Sequence, residues 1–366
     1  MTGVRSRKGL EIMYFRALFA YKGGIMKYSS IDEQLKLLRE QKLIIPNEKF
    51  ARDCLYTFGY SNIIKSYREP YTVSINEKIQ YRAGVTFDQI FSLYFLDKQL
   101  RTAVFASMLD LEECFKSIVA DIIAANFGIE PDSYLEFRKY RDKKKRNKNF
   151  SLKNILNTLR ALLNTDKNPI AHYRDVHKVV PPWILFKSAY FSTIVNLVHY
   201  LPTELQYEIA ARMLSTNLLD ENNVDSREFL KDSLSIFLEY RNLAAHGGRI
   251  YNYNCKCTCR ALPTATGFNL LMNILNIYTF NDPSIYIENT LNAQVNRHCC
   301  KFPEDVTYLS NILKIDIESH RYAWISGKNK IVHSNQFCSG MKNAQQIDIN
   351  DIPDDYILCK KCFIKN

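Results

Sequence analysis

Glu239-Tyr240-Arg241-Asn242-Leu243-Ala244-Ala245-His246-Gly247-Gly248-Arg249-Ile250-Tyr251-Asn252 ends an apolar-periodic helical stretch. Asp225-Ser226-Arg227-Glu228 is the capping sequence that opens this helix, and Gly247-Gly248 is the signal that closes it. In the last turn stand an arginine, an amide and a histidine, and a second arginine, Arg249, follows the glycines. Arginine carries a permanent charge on a donor fork that fits phosphate oxygens. Histidine is the side chain best suited to moving protons near neutral pH. Together they are the minimum equipment for cutting RNA without a metal. Arg-x-x-x-x-His also arises by chance at helix ends, where a histidine simply faces the helix dipole. The surrounding residues therefore carry the argument.

Working outward, an all-α body is expected. Ser30-Ile31-Asp32-Glu33 is a capping box ahead of a first helix, and a second runs from about Asn47 to Phe58, before Gly59. Residues 60–85 read as irregular, with Pro70 and Gly84 as breakers. Thr86-Phe87-Asp88-Gln89 caps a stretch with no Pro or Gly until Gly128. That predicts one helix of about forty residues, on the order of 60 Å long, or two with an unmarked break. Helices follow over Ser151 to Leu163, Ile184 to Leu201 and Thr203 to Leu214. Asp97 with Arg101, and Glu112 with Lys116, are four apart in the stabilising acid-before-base order and read first as surface ion pairs. If the long helix lines an RNA groove, Arg101 and Lys116 are the residues to test.

The string from Arg241 to Asn252 resembles the signature of the HEPN ribonuclease superfamily, and its end resembles the Abi-like (abortive infection, AbiD/AbiF type) branch. Other landmarks agree in order: Tyr81-Arg82-Ala83-Gly84-Val85-Thr86-Phe87-Asp88, Leu93-Tyr94-Phe95-Leu96-Asp97, Leu111-Glu112-Glu113-Cys114-Phe115-Lys116, and Pro182-Trp183. The chain departs at Ser61-Asn62-Ile63-Ile64, where aromatic residues are common in the family. The resemblance implies a HEPN-type helical domain and a metal-independent endoribonuclease in phage defence, or an RNA-cleaving toxin. Arg241 would clamp phosphate, His246 would transfer the proton, and Asn242 would orient the histidine, the backbone or the RNA. Products would carry a 2′,3′-cyclic phosphate and a 5′-OH. The alternative is a non-catalytic RNA-binding regulator, or an interaction module of a defence system.

Geometry constrains the pair. Residues five apart on an ideal helix point about 140° apart, so Arg241 and His246 do not stack. The last turn loosens, or Arg241 reaches around, or two helix ends face each other in a homodimer. The resemblance implies the homodimer, with an antitoxin protein or a structured RNA as a further partner.

The 366 residues carry 49 Lys and Arg against 38 Asp and Glu, a formal charge of +11 that favours a polyanion such as RNA. Much of it lies in Arg138 to Lys148, where Lys143, Lys144, Lys145 and Arg146 form an expected phosphate-attracting arm. No apolar run is long and clean enough for a bilayer, and a cytoplasmic location is expected. Lys22-Gly23-Gly24-Ile25-Met26 is what a purine-rich ribosome-binding stretch before a start codon would encode. Residues 1–26 are therefore expected to be an extension preceding a true start at Met26. The helical domain is placed at 27–254, a helical extension at 255–315 and a small module at 316–366.

That module reads as two strands, Tyr322 onward, around Ser326-Gly327-Lys328-Asn329, followed by His333, Cys338, Cys359 and Cys362. A Cys3His set binds zinc tetrahedrally, so a structural zinc is expected there, with none needed for catalysis. Lys328, Lys330 and Lys342 would face RNA or a partner. Cys255-x-Cys257-x-Cys259 would put three thiols on one face of an extended segment, and with His298 and Cys299-Cys300 could form a second metal site, ranked below the first.

Overall fold

Ser30 and Glu33 exchange the reciprocal hydrogen bonds of a capping box and open α1 (Ile31–Glu40). The computed structural model describes residues 28–141, 151–215, 219–220, 223–315, 317, 322–326, 329–333, 338, 341 and 343–360. The Met26 start and the Lys143–Arg146 arm lie outside them. Asn47 caps α2 (Glu48–Phe58). The stretch read as irregular contains an antiparallel hairpin, β1 (Thr72–Ile75) with β2 (Lys78–Tyr81). Its two-residue turn, Asn76 and Glu77, lies at positive φ, as a tight hairpin requires. With Glu instead of Gly in second place, and β1 exposed at three of its four residues, the chain displays no standard hairpin signal.

Thr86 accepts the amide of Gln89 and starts α3 (Phe87–Phe127), one unbroken helix of 41 residues. Between the two expectations for this stretch, the single helix holds. Apolar residues on most of its circumference are buried, among them Ile90, Leu93, Leu100, Val104, Leu111, Phe115 and Val119. A helix apolar nearly all round belongs at the centre of a fold, and the others gather about it.

Those others are α4 (Leu152–Leu163), α5 (Pro182–Ser188), α6 (Phe191–Val198) and α7 (Thr203–Met213), then α8 (Ser226–Ala245). The single helix expected over Ile184 to Leu201 is broken at Ala189 and Tyr190, both extended. The break turns the Ala189 carbonyl onto Lys116 Nζ at 2.6 Å. α9 (Gly267–Leu275), α10 (Asp282–Cys299) and α11 (Val306–Leu313) come next. α10 packs along α3, and Phe268, Leu271, Ile287, Val295 and Leu309 join the same core as the earlier helices.

A buried polar cluster fixes that packing. The two ring nitrogens of His298 lie 2.9 Å from Ser92 Oγ on α3 and 2.9 Å from Asp305 Oδ2. Tyr71 Oη also donates to Asp305 at 2.6 Å and Gln89 Nε2 at 3.1 Å. Burial pushes the Asp305 carboxyl up, but the bonds from His298 and Tyr71 outweigh it and hold the group below its usual range. Serine, histidine and aspartate stand here in the order of a hydrolytic triad. All three are buried, so they act as a brace across the core.

The tail forms a four-stranded sheet in the order β5-β3-β4-β6, built from β3 (Tyr322–Ser326), β4 (Asn329–His333), β5 (Ala344–Asp348) and β6 (Ile357–Leu358). The expected hairpin is β3 and β4; β6 runs parallel to β4. Its own core among the described residues is Ala323, Val332 and Cys359. Such a core is too small to stand alone. No helix among the described residues is long and apolar enough to cross a membrane.

Candidate functional site

α8 begins at Asp225, whose carboxylate accepts the amides of Arg227 and Glu228. Its far end is closed in a specific way. The amide of Gly248 bonds the Leu243 carbonyl at 2.9 Å and that of Gly247 bonds the Ala244 carbonyl at 3.2 Å, with Gly247 at φ +73°. This is a Schellman closure, in which a residue of left-handed conformation follows the C-cap. His246 is that C-cap, still joined to the helix through its amide and the Asn242 carbonyl at 3.1 Å. The last turn is therefore intact, and the loosening considered for it does not occur. A side chain at Gly248 would run into Leu243, whose Cδ1 lies 2.2 Å from the ideal Cβ position.

The closure is held from the central helix. Arg101 Nη1 donates to the carbonyls of Gly247 and Gly248 at 3.1 and 3.3 Å. One turn earlier, Asp97 is fully buried. Its Oδ1 accepts the amides of Ile250 and Tyr251 at 2.9 and 2.8 Å, and its Oδ2 accepts the Tyr67 hydroxyl. Burial pushes the Asp97 carboxyl up, against these hydrogen bonds and Arg101, which favour its charge. The bonds between the two helices explain why Asp97 and Arg101 are not the surface ion pair that their spacing suggests. Arg101 is engaged with backbone, not set along an open groove.

Glu112 and Lys116 are interior as well. Lys116 Nζ lies 2.6 Å from Glu112 Oε1 and donates to Ala189, so the groove role considered for Lys116 does not fit its position either. The other carboxylate oxygen, Oε2, faces Arg241 Nε at 3.6 Å, an ion contact longer than a hydrogen bond. Arg241 is about one-third exposed and its Nη1 reaches the Asn242 side-chain oxygen at 3.5 Å. Asn242 and His246 are exposed. Arg241 is thus steered toward α3 and Asn242; no contact between it and His246 is found among the described residues. Arg249 donates to the Ser66 carbonyl at 2.6 Å and is half-buried, which ties the segment after the glycines to the loop before β1.

In the tail, the parallel β4–β6 pairing sets His333 beside Cys359, and the Cys359 amide bonds the Val332 carbonyl at 2.8 Å. The ligand atoms of His333, Cys338 and Cys359 lie within 4.8 Å of one another. Cys338 Sγ and Cys359 Sγ are 3.9 Å apart. Two thiolates on a tetrahedral zinc stand about 3.8 Å apart, given Zn–S bonds of about 2.3 Å, so this donor set fits the ion. Burial pulls the His333 imidazole below its ordinary value, toward the neutral form that a metal needs. Cys362 and Lys328 and Lys342 lie outside the described residues, and Lys330 pairs with Asp355.

The sequence reading missed Asp97, Arg101, Glu112 and Lys116 as supports. Their only signal was the acid-before-base spacing, which does not distinguish exposed pairs from buried ones. A family model described as Abi-like protein matches residues 53–252, more than half of the 366-residue chain, and ends just past this helix terminus. Neither a curated protein nor a solved structure matches the chain.

Proposed function

The chain belongs to the Abi-like protein family, and from that premise we propose that it acts in phage defence as a HEPN-type endoribonuclease. One observation carries the chemistry. Asn242 and His246 are exposed at a helix end that four backbone hydrogen bonds from Asp97 and Arg101 hold in place. A helix terminus braced so fully, with its polar side chains left to solvent, suits a site that must be rigid before substrate arrives.

RNA brings its own nucleophile. The 2′-oxygen attacks the adjacent phosphorus; the O2′–P bond forms as the P–O5′ bond breaks. His246 removes the 2′-hydroxyl proton, and the imidazolium so formed hands a proton to the departing 5′-oxygen, which leaves a 2′,3′-cyclic phosphate and a 5′-OH. Arg241 stabilises the charge on the phosphoryl oxygens. Arg241 and His246 diverge by about 140° on one helix, so the reading is a homodimer with the helix ends opposed, the arginine of one copy facing the histidine of the other. The basic run Lys143, Lys144, Lys145 and Arg146, together with Arg249, would add attraction for the RNA backbone. An antitoxin protein or a structured RNA would keep such an enzyme silent.

A second reading, a non-catalytic RNA-binding regulator, draws on Arg241 and Arg249, whose guanidinium groups are partly committed to Glu112 and Ser66. The test is cleavage of total cellular RNA by purified protein in EDTA, with end-group analysis of the products. Cyclic phosphate ends that vanish in His246→Ala and Arg241→Ala, with RNA binding retained, are the expected result. Undiminished cleavage by His246→Ala overturns the assignment.

A further inference from the structure

Glu239 stands two residues before Arg241 on α8, and its carboxylate is enclosed by the segment that follows the glycine closure. The Tyr253 hydroxyl donates to Oε1, as does the Lys256 amide at 2.7 Å, while the Cys257 amide reaches Oε2 at 3.2 Å. The ligand atoms of Glu239, Cys255 and Cys257 all lie within 4.8 Å of one another, and all three residues are half-buried. The cysteine run therefore does not act as the single face that its spacing suggests. Cys259 is buried in the main core, as is Cys299, and the helical carboxylate takes the third place beside Cys255 and Cys257.

We propose that Glu239, Cys255 and Cys257 form a second metal site, for a thiophilic divalent cation of the zinc class. Two sulfurs and one carboxylate oxygen are a donor set that such ions accept, and three protein ligands leave a fourth position for water. The hydrogen bonds on Glu239 fit this role. Metal-bound carboxylates are themselves held by outer partners that fix their orientation, as the Tyr253 hydroxyl and the two amides hold this one, while the Cys255 and Cys257 thiols also hydrogen-bond it, contacts that an ion would replace once the thiols lose their protons. Close spacing of alternate cysteines is set by the Glu239 carboxylate drawing in the amides of residues 256 and 257. The ion would clamp residues 253–257 to α8 about two turns before His246. It would be a structural clamp, independent of whether the chain cuts RNA.

Cobalt(II) is the probe, because thiolate ligation gives it an intense near-ultraviolet charge-transfer band. The full chain carrying Cys338→Ser, Cys359→Ser and Cys362→Ser has no thiol left in the tail set, so the remaining signal reports on the site at α8. In that background the band should rise to one equivalent of cobalt and disappear when Cys255→Ser and Cys257→Ser are added. Glu239→Gln should keep the band but weaken cobalt binding at least about tenfold. Should the serine variants fold poorly, the unmutated protein answers the same question. Zinc should protect the peptides bearing Cys255 and Cys257 from alkylation, read by mass spectrometry. No band in the protein lacking the three tail thiols, a band there that survives both Cys255→Ser and Cys257→Ser, or equal alkylation with and without zinc overturns the site.

Discussion

Removing the Asp97 carboxylate should damage the site without touching it. Asp97→Ala strips the acceptor from two buried amides, those of Ile250 and Tyr251, and from the buried Tyr67 hydroxyl. It also leaves Arg101 without the carboxylate 3.9 Å away. Each orphaned buried group costs about 1–3 kcal/mol, and breaking a buried charged pair from one side costs about 3–5 kcal/mol. These overlap, so the loss is expected at about 3–5 kcal/mol, a large part of a total stability of about 5–15 kcal/mol. Asp97→Asn is the finer tool. Its side-chain oxygen can still accept both amides, while its NH2 group replaces Oδ2 and the Tyr67 hydroxyl must rotate to accept. That exchange should cost about 1–2 kcal/mol. Tyr67→Phe, which deletes one bond and leaves the amides satisfied, should cost about 1 kcal/mol.

The assay is denaturant unfolding of the three variants beside RNA binding and cleavage. The expected order of loss is Asp97→Ala, then Asp97→Asn, then Tyr67→Phe. Cleavage should fall in Asp97→Ala with RNA affinity retained, if the amides of Ile250 and Tyr251 serve to position His246 and do not hold RNA. An Asp97→Ala protein as stable as the wild type, within about 0.5 kcal/mol, would refute the idea that α3 fixes the helix end, because that margin is typical of a surface change.

Gly248→Ala should destabilise by about 1–3 kcal/mol, since its methyl meets Leu243, and thermal unfolding checks this. Pairing Gly248→Ala with Leu243→Ala should recover part of the loss; no recovery would mean that the clash is not the cause. Mixing inactive Arg241→Ala and His246→Ala proteins should restore some RNA cleavage if each site draws on two chains, and full activity of a monomer across dilution would remove the homodimer. Purified protein should carry zinc at His333, Cys338, Cys359 and Cys362, and chelation should loosen the tail while cleavage persists; a tail equally resistant to proteolysis with and without chelator would count against it.

Much of this was legible in the chain, because its signals were local. Capping sequences placed the starts at Ser30, Asn47, Thr86, Ser151 and Asp225, and glycines marked several ends. Two failures share one physical origin. The break at Ala189 and the hairpin at Asn76 are decided by partners far along the chain, or by exposed residues with no pattern. Nothing near Ala189 reports that Lys116 needs its carbonyl. The same holds for the site. His246 is visible as a helix-end histidine, but the Asp97 and Arg101 supports lie some 150 residues away in sequence and only the folded chain brings them under the glycines.

The intact last turn also bears on how two side chains so placed can cooperate. A residue at the C-cap and one five positions earlier are separated by about 140° around the axis, and the Schellman bonds leave no slack to reduce that angle. Arg241 is moreover drawn toward Glu112 and Asn242, so reaching round to His246 means giving up the ion contact with a carboxylate that is itself buried. Glu112 Oε2, a buried oxygen with no hydrogen-bond partner among the described residues, would then lose the ion contact that Arg241 gives it. Of the three ways to bring the groups to one phosphate, unwinding is excluded by the hydrogen bonds and reaching is opposed by the electrostatics. A second copy of the helix end asks neither for strain nor for the loss of that ion contact. In the proposed homodimer, Arg241 would stay on its brace and the partner's histidine would come to the phosphate that it holds.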